Sequence, residues 1–202
     1  TSYRTRLALN WKGVPYEYVG VNLVEGEQHS DAYKAKNPQG LVPALEVDGE
    51  ILTQSVAILE WIEETFPDRP LLPSDPIKRA KVRAFAAAIG CDIHPLQNLR
   101  ILKKARELAG DDPEAGPAWA RHWISLGFEA LEKLAEQGDG QNGFLFGDGP
   151  TLAEIYLLPQ MFNARRFGVD LTPYPLLVAA DEAARAQPEF ERAAPENQPD
   201  AV

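Results

Sequence analysis

At 202 residues, 45% hydrophobic and 25% charged, the chain is long enough for one large or two small domains with real cores, and its composition is that of an ordinary soluble globular protein. A net charge of −10 without any Lys/Arg-rich block argues against a nucleic-acid or anionic-membrane partner. The one cysteine, Cys91, excludes an intrachain disulfide framework, and no apolar run approaches the roughly 20 residues of a bilayer span, so a reducing, cytoplasmic setting is inferred.

Near the start, Tyr3, Leu7 and Leu9 fall among Arg4 and Arg6, which predicts a short amphipathic helix ending near Lys12-Gly13. Residues 16–19, YEYV, then alternate as a strand. A helix followed at once by a strand reads as a β-α-β unit whose first strand lies outside the sequence. Residues 25–36 are polar, a loop with a short helix. Two short apolar runs, ALEV at 44–47 and ILT at 51–53, flank Asp48-Gly49, a pair able to take the positive backbone angles of a tight hairpin turn. After the hairpin the period changes from two to 3.6. Ile58, Leu59, Trp61, Ile62 and Phe66 form an apolar stripe, while Glu60, Glu63 and Glu64 take the solvent side. Ser55 is the natural N-cap of this helix, and the free N–H groups around it would welcome a carboxylate. Spacing alone leaves it open whether Ser55 binds or merely caps.

The proline-rich stretch from Phe66 to Pro76 stops helices and stiffens a connection, which places a first domain at 1–70, a linker at 71–76 and a second domain at 77–202. Beyond it everything reads helical. Asp75 with Pro76 at the first helical position opens a segment through Ile77, Val82, Phe85, Ala88 and Ile89. Pro95 removes an N–H and crowds the Cys91 carbonyl, so a kink or break is expected around Cys91-Asp92-Ile93-His94. The Cys91-x-x-His94 spacing has no second ligand pair to complete a metal site, and Cys91 reads as a buried small residue at the kink. A helix from about Trp119 to Glu136 puts Trp123, Gly127, Phe128, Leu131 and Leu134 on its inner face, with Trp119 and Trp123 as core. Thr151 and Glu154 form a capping box before a very apolar helix through Ile155 to Met161, expected at the centre of the helical domain. Tyr174-Pro175 begins another helix, and the tail from Pro195 reads as extended.

The stretches TSYRTRLALNWKGVPYEY, NPQGLVPAL, QSVAILEWIEE, CDIHPLQNLRIL and NARRFGVDLTPYP together give an end-to-end resemblance to cytosolic glutathione transferases. The resemblance is nearest to the zeta class, the maleylacetoacetate isomerase type, and to the related glutathione-dependent maleylpyruvate isomerases. It implies an α/β plus all-α fold, a thioredoxin-like N-terminal domain followed by an all-helical one, and usually a homodimer in which the helix from Ser55 and the helix from Pro76 form much of the interface. It also implies glutathione as the cofactor. Val42-Pro43 matches the family's cis-proline, where the backbone of the preceding residue pairs with the cysteinyl part of glutathione. Gln54 and Ser55 match the pair that takes the γ-glutamyl carboxylate, and Gln39 matches a further glutathione contact. His94 and Asn98 match positions reaching toward glutathione or substrate in the isomerases.

The zeta pattern places its catalytic serine immediately before the position of Thr1, so this sequence begins inside that motif. Thr1 and Ser2 remain as the hydroxyls at the N-terminus of the first helix, where dipoles lower a thiol pKa. The family reaction is a cis–trans isomerisation in which thiolate adds to a double bond conjugated to a ketone, the bond rotates, and the thiol leaves. Maleylacetoacetate is the substrate that the resemblance implies first, with maleylpyruvate next. A conjugating transferase or dehalogenase, and a non-catalytic glutathione transferase-like interaction protein, stand as alternatives. Both maleyl substrates are dianions, which makes arginines informative because a guanidinium grips a carboxylate through two hydrogen bonds. Arg166 matches the family arginine that faces substrate, and Arg100 matches one in the maleylpyruvate type. Arg165 is read as part of a solvated face.

Overall fold

The computed structural model describes residues 1–201. In chain order the elements are α1 (Ser2–Lys12), α2 (Asp31–Lys36), β1 (Ala44–Val47), β2 (Glu50–Thr53), α3 (Ser55–Thr65), α4 (Pro76–Ala87), α5 (Leu99–Leu108), α6 (Ala115–Ala135), α7 (Leu152–Arg166), α8 (Pro175–Arg185) and α9 (Pro188–Ala193), with short 3₁₀ turns at Glu27–His29, His94–Gln97 and Pro195–Asn197. The chain forms two compact units, one of Thr1–Pro70 with Gln187–Val202 and one of Leu71–Ala186.

In the first unit, β1 and β2 pair antiparallel in the register Ala44↔Thr53 through Val47↔Glu50. Asp48 and Gly49 turn the hairpin at φ 50° and 86°, the positive angles expected of this pair. Ile58, Leu59 and Ile62 bury the stripe of α3. Residues 16–19 are not a strand, because they have no ladder partner among the described residues. The amphipathic expectation for α1 also fails: Tyr3 through Leu9 are all buried, the arginines included, with Arg4 only 1% exposed. The tail explains part of this. Arg6 Nε donates to the Ala193 carbonyl at 3.0 Å and Asn10 Nδ2 to the Glu189 carbonyl at 3.0 Å, so α9 covers what would be the polar face of α1. Arg69 lies 3.6 Å from the centre of the Trp11 ring and pairs with Glu189 at 2.8 Å. These contacts are why residues 187–202 go with the first unit and not with the helical domain expected to run to 202. The tail from Pro195 forms a 3₁₀ turn instead of extending.

In the second unit, Asp75 caps α4 by accepting from the Lys78 N–H at 2.8 Å. The helix then passes into a π turn, Ala88–Ile93, and the 3₁₀ turn His94–Gln97, which is the break that Pro95 predicts. Two glycines let this kinked segment sit close to its neighbours. A Cβ on Gly90 would meet the Tyr156 ring of α7 at 2.8 Å, and one on Gly127 of α6 would meet Ile93 at 2.3 Å. Helix α7 is buried continuously from Leu152 to Met161, as its composition predicts. Its capping box is complete. Thr151 Oγ1 accepts from Ala153 N–H at 3.1 Å, and Glu154, fully buried, accepts from Thr151 N–H at 2.7 Å, Thr151 O–H at 2.8 Å and Leu145 N–H at 2.8 Å. Helix α6 begins four residues before Trp119 and buries Ala120, Ile124, Phe128 and Leu131. That register leaves Trp119 38% exposed, not core, its indole N–H donating to the Leu96 carbonyl at 3.0 Å. Cys91 is exposed on the π turn, because the wider turn rotates it off the face that carries Ile89 and Ile93 inward. Among the described residues no helix is long and apolar enough to cross a membrane.

Candidate functional site

The first unit builds its cradle from the loop at 37–43. Asn37 is 2% exposed; its Nδ2 donates to the Leu41 carbonyl at 2.7 Å and its Oδ1 accepts from the Gln39 N–H at 3.1 Å, while Tyr33 O–H donates to the same Leu41 carbonyl at 2.8 Å. Gly40, at φ 61°, has the Gln28 carbonyl and His29 Nδ1 each 3.0 Å from where a Cβ would stand, so only glycine fits this turn. The loop delivers Val42-Pro43 through a cis peptide bond. Thr1 Oγ1 donates to the Val42 carbonyl at 2.8 Å, whereas the Val42 N–H has no hydrogen-bond partner among the described residues. Gln54 Nε2 donates to Gln39 Oε1 at 2.5 Å, joining two residues singled out separately in the sequence.

Ser55 is not the N-cap. That position belongs to Gln54, whose backbone sits at φ 68° and whose side chain makes no capping bond, so the first-turn N–H groups of α3 have no side-chain cap. Ser55 is the first helical residue, 6% exposed, and its hydroxyl accepts from Arg4 Nη1 at 3.5 Å. A buried cation thus stands behind an uncapped helix N-terminus, an arrangement suited to an anionic group. Ser2 is half-buried as the first residue of α1.

The second unit carries the remaining candidates on the kinked segment and the end of α7. His94 is half-buried on the 3₁₀ turn. Asn98 caps α5, its Oδ1 accepting from the Arg100 N–H at 3.4 Å, and the Arg100 side chain is exposed. Arg166 is exposed at the last position of α7, its guanidinium 5.9 Å from the Phe167 ring centre. Arg165 is not simply solvated: it pairs with Asp181 of α8, whose carboxylate is 1% exposed. Burial pushes the Asp181 carboxyl above its ordinary value, with Arg165 opposing. Among the described residues no three His, Cys, Asp or Glu side chains gather as a metal site.

Sequence reasoning missed Arg4, Asn37 and Gln97. Asn37 carried a signal, since asparagine ahead of proline and glycine favours an Asx turn. Arg4 and Gln97 carried none, because only tertiary contacts bury them.

Two family models match the chain, the glutathione S-transferase N-terminal domain over residues 2–70 and the C-terminal domain over residues 104–190. The chain belongs to the glutathione S-transferase family, in its zeta class. It is 53% identical to a maleylpyruvate isomerase of a Ralstonia species, covering 100% of this chain and 95% of that one, and 48% identical to the maleylacetoacetate isomerase of Pseudomonas aeruginosa, covering 99% and 93%. A crystal structure of maleylacetoacetate isomerase from Anaeromyxobacter dehalogenans 2CP-1, with glutathione bound in its active site, superposes with a TM-score of 0.89 at 46% identity, covering 100% of this chain and 93% of that one.

Proposed function

We propose that this chain is a glutathione-dependent cis–trans isomerase that converts maleylacetoacetate to its fumaryl isomer in the catabolism of aromatic compounds. The observation that carries the reading is the uncapped N-terminus of α3, with Ser55 on it and buried Arg4 behind it, beside the unpartnered Val42 N–H. That donor set fits a peptide-like ligand with a carboxylate at one end. Ser55 and the α3 N–H groups hold the γ-glutamyl carboxylate, Gln39 and Gln54 add side-chain contacts, and the Val42 backbone ahead of Pro43 pairs with the cysteinyl amide. Bound glutathione supplies a thiolate that adds reversibly to a double bond conjugated to a ketone. The α1 dipole and Ser2 stabilise the negative sulfur. Thr1 contributes by fixing the Val42 carbonyl, since its own proton is donated there. Arg166 and Arg100 hold the two substrate carboxylates, and His94 and Asn98 orient the ligand next to them.

Maleylpyruvate is the second reading, supported by the higher identity to the Ralstonia isomerase, 53% against 48% for the Pseudomonas one. The test is loss of each maleyl substrate, followed by ultraviolet absorbance, with and without glutathione. The ratio of kcat/KM values selects between them, and failure on both would refute the isomerase reading. Arg166→Ala is expected to lower kcat/KM by about 100-fold through lost positioning while glutathione affinity stays within about twofold. Equal losses in both would contradict the division of roles. The assembly is read as a homodimer that uses α3 and α4, whose Val56 and Ile77 are 47% and 69% exposed. The setting is read as cytoplasmic.

A further inference from the structure

Gln97 ends the 3₁₀ turn that carries His94, directly before Asn98, and is 5% exposed. Its Oε1 accepts two hydrogen bonds from α7, one from Gln160 Nε2 at 3.1 Å and one from Asn163 Nδ2 at 3.3 Å. Its Nε2 donates to the Ile93 carbonyl at 3.1 Å, at the end of the π turn. The amide orientation follows from these partners, since two donors face one atom and a carbonyl faces the other. Gln160 is 1% exposed.

The placement matters more than the energy. Asn98 follows Gln97 and caps α5, so Gln97 sits three residues before Arg100; Asn163 sits one helical turn before Arg166. The break after the π turn removes the backbone ladder that would otherwise hold the segment, and the Gln97 amide replaces it with side-chain bonds to α7.

We propose that Gln97 is a positioning residue for the reaction: it locks the His94–Asn98 turn to the Asn163–Arg166 end of α7 and so sets the spacing of Arg100 and Arg166 for a dicarboxylate. The proposal rests on the reading of those two arginines as carboxylate grips. A dianion held at both ends is sensitive to that spacing, because a shift of about 1 Å in a positioned group costs up to about 100-fold. A monoanion held at one end is not.

The test is calorimetric titration of malonate and, separately, of acetate into the glutathione-saturated protein, for wild type, Gln97→Met, Gln160→Met, Arg166→Ala, Arg100→Ala and the Gln97→Met/Arg166→Ala pair. Gln97→Met keeps the length and removes all three bonds; it is expected to weaken malonate about tenfold and acetate less than about twofold. Gln160→Met removes one donor at a buried site and is expected to weaken malonate about threefold, which keeps the test open if Gln97→Met does not fold. In the Arg166→Ala background the Gln97→Met effect on malonate is expected to fall below about twofold, as coupling through Arg166 requires. Wild-type malonate affinity in folded Gln97→Met, equal losses for malonate and acetate, or an undiminished loss in the Arg166→Ala background would each overturn the proposal. Wild-type malonate affinity in both arginine single variants would instead overturn the arginine reading, and the proposal with it.

Discussion

Ser55→Ala separates binding from capping at the start of α3. Had Ser55 been the cap, alanine would cost about 1 kcal/mol or more of stability. It makes no capping bond, and its hydroxyl receives only a long contact from Arg4 at 3.5 Å, so the folding cost is about 1 kcal/mol at most. For a chain of this size that is a fall in Tm of about 2–4 °C. The binding cost is larger. A hydroxyl donating to a ligand carboxylate is worth about 1.5–3 kcal/mol, which raises the Kd for glutathione about 10- to 150-fold. Calorimetric titration with glutathione, alongside a thermal scan, reads both quantities. Thr151→Ala is the matched control: it removes a real cap, Thr151 Oγ1 to Ala153 N–H at 3.1 Å, together with a bond to buried Glu154 at 2.8 Å. That variant is expected to lose about 1–2 kcal/mol of stability with glutathione affinity intact. A Ser55→Ala Kd within about threefold of wild type would refute the assignment of the carboxylate to this helix end.

Asp181 gives the pH dependence. Its carboxyl is raised above the ordinary value by burial, so between the unfolded and folded pKa values the folded chain holds a proton that the unfolded chain has lost. Its contribution to stability therefore declines as pH rises through that window. Asp181→Asn removes the slope: in urea unfolding, the variant is expected to gain on wild type as pH rises from about 4 to about 7, and a wild type that gains on the variant would refute the sign. For the assembly, Ile77→Glu on α4 is expected to shift a dimer to monomer in light scattering, since a buried unpaired charge costs several kcal/mol at an interface. An unchanged mass would remove Ile77 from the interface.

The local elements were legible because their signals are local. Asp48-Gly49 fixes its hairpin by the angles it tolerates, Thr151 and Glu154 announce a cap three residues apart, and Pro95 breaks a helix wherever it is placed. The shape of the block at 37–55 was legible for the same reason, as loop, proline, hairpin and helix start follow one another in sequence. Burial and partnership were not. Arg6 looks like part of a polar face of α1 until α9, more than 180 residues away, covers it, and Arg4 does until α3 brings Ser55 to it. Ser55 reads as a cap until Gln54 takes the positive φ that displaces it, and Trp119 reads as core until α6 packs inward on Ala120, Ile124 and Phe128 and leaves it outside that stripe. Gln97 is one polar residue in a kinked stretch until α7 brings Gln160 and Asn163 to its carbonyl. Backbone shapes follow from residues in order, because turn angles, caps and proline breaks act within a few residues. Which charges are buried and which side chains hold one another depends on segments that folding brings together from far apart.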